Sequence, residues 1–128
     1  MVYVTDTHSL VWYFIGDSHL GRKASNVFEV NLKEGLIIIP ILVLAEIMYI
    51  SKKGKITLSF QETLKKIEDS DNFSIAQLDV NILRIAYKIN AELEMHDRLI
   101  AATSLYFDAP LITKDKTITN AKICKTIW

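Results

Sequence analysis

Short continuous apolar runs alternate along this chain with longer stretches whose apolar residues fall at helical spacing. Val2-Tyr3-Val4 is a β-prone run that ends at Thr5-Asp6. Asp6-Thr7 can cap a helix carrying Leu10, Val11 and Phe14 on one side, and Gly16-Asp17-Ser18 breaks it. A second helix is expected from Gly21 to Lys33, striped by Ala24, Val27, Phe28 and Leu32. Gly35 ends it, and Leu36-Ile37-Ile38-Ile39 reads as a strand buried on both faces. Pro40 suits the first turn of the next helix, Ile41 to Ile50, which is apolar on every side except at Glu46. Leu58 to Glu68 is amphipathic, anchored by Leu64 and Ile67, and a short strand is expected at Phe73-Ser74-Ile75. Asp79 to Leu93 carries the clearest helical stripe, with Ile82, Ile85, Ala86 and Ile89 behind an Asp79 cap. A helix then opens at His96-Asp97, a turn falls at Asp108-Ala109-Pro110, and Leu111-Ile112-Thr113 forms a strand running into Lys114 and Asp115. A short polar segment and a closing edge strand, from Ile123-Cys124 to Ile127-Trp128, complete the chain.

Strands alternating with helices along the whole length imply an α/β fold with a mostly parallel sheet covered on both faces. The 128 residues make one expected domain, 1–128, with no linker, repeat or low-complexity tract. Half of the residues are apolar and 23% are charged, which excludes a disordered chain. Lys+Arg and Asp+Glu balance at 15 each, so no global basic field marks a nucleic-acid binder. A local basic strip beside an acidic site would cancel in that sum. The lone Cys124 excludes an internal disulfide and a cysteine zinc site, and it reads as a packed thiol. The longest apolar run, Leu36 to Ile50, is too short and too interrupted to span a bilayer, so a cytoplasmic protein with no membrane partner is expected.

Candidate chemistry lies in the carboxylates. Asp6 follows the first strand, Asp97 heads a helix, and Asp115 stands just past the C-terminal end of a late strand, where open α/β sheets bind ligands. Each alone is explained as a cap or turn residue. Glu46 is the only charge in its ten-residue apolar run. Two readings of it stay open: a carboxylate protonated, paired or metal-bound in a dry setting, or one on a wet helix edge beside Lys53. The topology gathers strand and helix ends on one side, and carboxylates brought together there repel unless a cation lies between them. Oxygen donors of this kind suit Mg²⁺ or Mn²⁺. His96 reads as a capping or surface residue.

Val4-Thr5-Asp6-Thr7-His8-Ser9-Leu10-Val11-Trp12 resembles the opening of PIN-domain ribonucleases, above all the VapC-type toxins of toxin–antitoxin pairs. Leu44-Ala45-Glu46-Ile47 is similar to that family's glutamate helix. His96 to Thr103 together with Leu111 to Asp115 resembles its C-terminal motif. The resemblance implies a PIN-like three-layer domain with about five strands in the order 3-2-1-4-5. It also implies an endoribonuclease whose metal site is formed by Asp6, Glu46, Asp97 and Asp115, with Thr113 beside it. A cognate VapB-like antitoxin that threads a basic residue into the acidic cleft, and a homodimer, are implied as well. Leu58 to Ser74 matches no motif.

The mechanism expected from these residues is hydrolysis of an RNA phosphodiester by water at a Mg²⁺ or Mn²⁺ site. Arg98, Lys114, Lys116 and the Lys52–Lys55 turn are the charges available to hold the backbone. The apolar surface around Trp12, Tyr13 and the Ile41 helix is compatible with a subunit interface. Two rival readings remain. A phospho-receiver needs an aspartate after its third strand, where this chain has Ala76-Gln77. A catalytically silent PIN-like binding module would not need all four acids.

Overall fold

Five short strands pair only in parallel, in the order β3-β2-β1-β4-β5. They are β1 (Val2–Thr5), β2 (Leu36–Pro40), β3 (Phe73–Ala76), β4 (Leu111–Ile112) and β5 (Thr126–Ile127). This computed structural model describes residues 1–128. The strand order is the expected one. The centre of the sheet is its most apolar part: Val4, Ile37, Ile39, Leu111 and Ile112 are fully buried. β-branched and aliphatic side chains on a strand covered from both sides have no water-facing alternative, which pins the register. Val4 pairs with Ile38 on one side and Leu111 on the other, and Thr5 pairs with Ile112.

Helices α1 (Thr7–Ile15), α2 (Arg22–Glu34), α3 (Ile41–Lys52) and α4 (Phe60–Glu68) fill the first half of the chain. The second half holds α5 (Val80–Lys88), α6 (Met95–Phe107) and α7 (Lys116–Ala121). Leu10, Phe28, Val43, Ile47 and Ile67 join the sheet residues in one core, and Ile82, Ala86, Leu99 and Ala102 form a smaller cluster between α5 and α6. No helix is long and apolar enough to cross a membrane.

Three expectations need correction. The helix expected over Asp79–Leu93 stops at Lys88, because the Arg98 guanidinium donates to the carbonyls of Ala86, Ile89 and Ala91 and so satisfies the helix end. The polar segment after Asp115 is helical: its one apolar residue, Ile118, is 1% exposed and fastens it to the core. Pro40 closes β2, paired with Ala76, and also opens α3 as its N-cap, one residue before the first turn. Helix α3 is not buried all round, since Val43, Leu44 and Ile47 face the core while Ala45, Met48 and Tyr49 are exposed. Lys53 stands over the Tyr49 ring at 4.6 Å, so it does not pair with Glu46.

The turn into β2 is tightly built. A Cβ on Gly35 would come 2.6 Å from the Met1 carbonyl oxygen and closer still to the Asn31 side chain. Asn31 is buried and donates from Nδ2 to the Val27 carbonyl, so it has no room to withdraw. Gly35→Ala is expected to cost about 1–3 kcal/mol of stability, as overpacking does. Urea unfolding checks this against Val30→Ala, a change on the exposed face of α2.

Candidate metal centre and cleft

Parallel pairing of β1 with β4 makes the point where the chain's crossovers diverge, β2 and β3 lying on one side and β4 and β5 on the other. Such a switch point leaves a crevice at the C-terminal strand ends. Here the crevice has a volume of about 640 Å³, and Asp6, Glu46, Glu94, Asp97 and Asp115 all line it. The structure thus brings the four sequence candidates together and adds Glu94.

Each carboxylate is held by a local device. Because Thr5 pairs with Ile112, the next residues, Asp6 and Thr113, lie side by side. Buried Thr113 donates its hydroxyl to Asp6 Oδ2 at 2.5 Å and accepts the Asp115 backbone N–H at 3.0 Å. One hydroxyl therefore ties two acids more than a hundred residues apart in sequence. The other oxygen of Asp6 caps α1 by accepting the Ser9 N–H at 2.9 Å, and Asp115 Oδ1 caps α7 through Ile118 N at 3.0 Å. Both carboxylates keep their cap role while facing the cleft. Thr7, also buried, donates to Glu46 Oε1 at 2.8 Å. His96 Nδ1 lies 3.7 Å from Glu46 Oε2 and 3.5 Å from Glu94 Oε1. Glu94 caps α6 by accepting the His96 N–H.

Asp97 is different. It stands in the first turn of α6, half-buried, and accepts no hydrogen bond. A helix N-terminus favours a negative charge there. Yet its pKa is pushed from 3.8 up to about 6, first by burial and then by the charges of Asp115, Glu94, Glu46 and Asp6. Asp97 therefore stands in the summed field of the whole acidic wall. No three His, Cys, Asp or Glu side chains converge tightly enough to grip an ion directly. The set fits a small hard cation that takes one or two carboxylates directly and reaches the others through water, the habit of Mg²⁺. The set has no cysteine thiolate and no converging histidines of the kind that mark a zinc site.

The chain matches the family model described as PIN domain over residues 3–123. It belongs to the PIN domain family. The structure resembles VapBC2 from Rickettsia felis, bound to a DNA fragment from its promoter, with a TM-score of 0.76 at 19% identity over 99% of this chain and 98% of that one. It is also similar to a toxin–antitoxin complex from Klebsiella pneumoniae, with a TM-score of 0.71 at 19% identity, covering 98% of this chain and 96% of the other. VapBC-5 from Mycobacterium tuberculosis gives 0.62 at 15% identity, over 98% and 97% of the two chains. No protein of curated function matches in sequence.

In this PIN chain the accessory charges sort differently from expectation. Lys114 and Lys116 line the cleft, and Lys114 stands over the Trp12 ring at 5.9 Å. Arg98 does not serve the cleft, since its guanidinium donates to carbonyls at the end of α5. The Lys52–Lys55 turn is not part of the lining either. Cys124 is half-buried, and burial pushes its thiol up, as befits packing rather than nucleophilic attack. Glu94 and His8 escaped the sequence reading, and Trp12, read there as part of an apolar interface surface, lines the cleft instead, because nothing in their spacing separates a cleft residue from a surface one.

The raised Asp97 pKa has a stability consequence. The native state binds its proton more tightly than the unfolded chain, so this residue's contribution to stability falls as pH rises from about 3.8 to about 6 and stays lost above. Without divalent cations, Asp97→Asn should melt above wild type at pH 7.5 and lose that advantage near pH 4. Added Mg²⁺ should raise the wild-type Tm and leave the variant's nearly unchanged. Thermal melts in EDTA and in Mg²⁺ at the two pH values check both signs.

Proposed function

We propose that this chain is a VapC-type toxin, an endoribonuclease dependent on Mg²⁺ or Mn²⁺ and restrained by a cognate antitoxin. The observation that carries the reading is Asp97: an acid without a partner, in the field of four others, at the switch point of a PIN fold. The likeness to toxin–antitoxin complexes supports the same reading.

Asp6 and Asp97 would be the principal ligands, with Glu46 and Asp115 completing the shell directly or through water. When bound, the cation would supply an activated water and neutralise charge on the leaving oxygen. The chain's own residues do the positioning. Thr113 locks the Asp6 carboxylate and the Asp115 backbone in one arrangement, and Thr7 fixes one oxygen of Glu46. The other oxygen of Glu46 is left to take the proton of a water attacking in line. Lys114 and Lys116 face the cleft and suit the substrate phosphates. An antitoxin segment carrying a basic side chain would match the same acidic wall and so block it. A homodimer would cover apolar side chains left exposed on α3, such as Met48 and Tyr49.

A second reading, a silent PIN-like binding module, draws on the fact that no three acids close on one point. Assays on structured and unstructured RNA in Mg²⁺, Mn²⁺ or EDTA separate the two. The nuclease reading expects cleavage with either ion and none in EDTA. Asp97→Asn should reduce cleavage at least about a hundredfold, the scale for removing one key electrostatic group from an active site. Undiminished cleavage by the folded variant contradicts the assignment. Sedimentation showing only monomer contradicts the dimer.

A further inference from the structure

The wall of the cleft beside the acids is aromatic and basic. His8 and Trp12 lie one turn apart on α1, both line the cleft, and their rings are 5.6 Å apart. Trp12 is held in place from two further directions. His19 stacks on it at 5.4 Å with planes 27° apart, and Trp128 meets it edge-on at 5.8 Å. His19 is itself tethered to Asp17 Oδ1 by its backbone N–H and its ring Nδ1. Trp128 lies flat against Gly21, where a Cβ would come 2.7 Å from its Nε1. The indole is thus fixed before any ligand arrives, whereas the His8 ring in front of it is exposed.

The two lysines of this wall are free in a cleft full of acids. Neither Lys114 nor Lys116 forms an ion pair with any carboxylate. The cleft therefore offers two unpaired ammonium groups, Lys114 over the Trp12 ring at 5.9 Å and Lys116 beyond Asp115, next to both the rings and the acids. That set matches one nucleotide unit. Its phosphates need cations, its base needs a flat apolar face, and the bond to be broken must lie over the acids.

We infer that His8 and Trp12 form a base-stacking subsite, at which the RNA strand splays one base out of its own stack onto these rings while Lys114 and Lys116 hold the adjoining phosphates. Stacking of this kind accepts any base face, and it requires that the base be unpaired. The substrate is therefore a single-stranded segment, such as a loop, instead of a continuous duplex. The inference rests on the nuclease reading for its choice of strand, but the subsite itself does not need cleavage to be detected.

The test uses the full chain and short single-stranded oligoribonucleotides in Ca²⁺, read by tryptophan emission. Of the chain's two tryptophans Trp12 lines the cleft and Trp128 meets its edge, so a base stacked on this wall quenches Trp12 directly. Abasic sites are then walked along the oligomer. At one position the loss should weaken wild-type binding by roughly five- to a hundredfold, the range measured for one base on one aromatic ring. In His8→Ala, an exposed substitution that spares the fold, binding should be weaker and no longer respond to that abasic site. Trp12→Phe, which keeps a ring, should preserve the response, read here by the anisotropy of an end-labelled oligomer. In Mg²⁺, His8→Ala should raise KM for the single strand more than it lowers kcat. An abasic walk with no effect at any position overturns the inference, and so does a response that persists undiminished in His8→Ala. Cleavage that continues without base sensitivity removes the subsite and leaves the nuclease reading standing. Base-sensitive, His8-dependent binding without cleavage in Mg²⁺ or Mn²⁺ does the reverse.

Discussion

Val4 and Thr5 run parallel to Leu111 and Ile112, and the geometry of the cleft follows from that short pairing. Both strands are buried on both faces, so neither can slip by a residue without turning its apolar side chains out of the core. With the register pinned, Asp6 and Thr113 must meet, and one hydroxyl then binds an acid from the start of the chain to another near its end. The acids repel one another. They stay together because the aliphatic packing beneath them outweighs their mutual repulsion and because caps and threonines hold at least one oxygen of Asp6, Glu46 and Asp115 in place. Asp97, which has no such partner, carries the unrelieved part of that repulsion.

This division of labour explains why the acids at the cleft double as helix caps. A cap uses one carboxylate oxygen. Asp115 gives Oδ1 to a backbone N–H and keeps the other oxygen free. Asp6 gives Oδ1 to the cap and Oδ2 to the Thr113 hydroxyl, where a second lone pair still faces the cleft. Both helices therefore fix the acids' direction without consuming their capacity as ligands. The reading of these residues as caps and the reading of them as ligands are not alternatives. Glu46 reaches the same result from the middle of a helix, with Thr7 in the place of a backbone donor.

The alternation of strands and helices and the core were legible in the sequence because each depends on strong local signals: continuous apolar runs, stripes at helical spacing, and polar breaks between them. The strand order and the set of four acids came with the resemblance of the motifs to PIN-domain ribonucleases. What was hidden depends on contacts between distant parts. The early end of α5 follows from Arg98, which lies beyond the helix in sequence and reaches back to its carbonyls. The α7 helix hangs on one buried isoleucine in a polar segment, too weak a periodicity to read. The setting of Glu46 stays open in the sequence and is decided by packing: the residue is half-buried, and the apolar run around it faces water on the side of Ala45, Met48 and Tyr49. Glu94, His8 and Trp12 reach the cleft only through the packing of α1 and α6 on the sheet.

The most direct measurement of whether this cleft exists to hold a divalent ion is anomalous diffraction from crystals grown with Mn²⁺. The account predicts a single region of anomalous density in the crevice, in direct contact with a carboxylate oxygen of Asp6 or Asp97 and flanked by Glu46 and Asp115. Density only elsewhere on the surface, with these four side chains unmoved and empty between them, would contradict it.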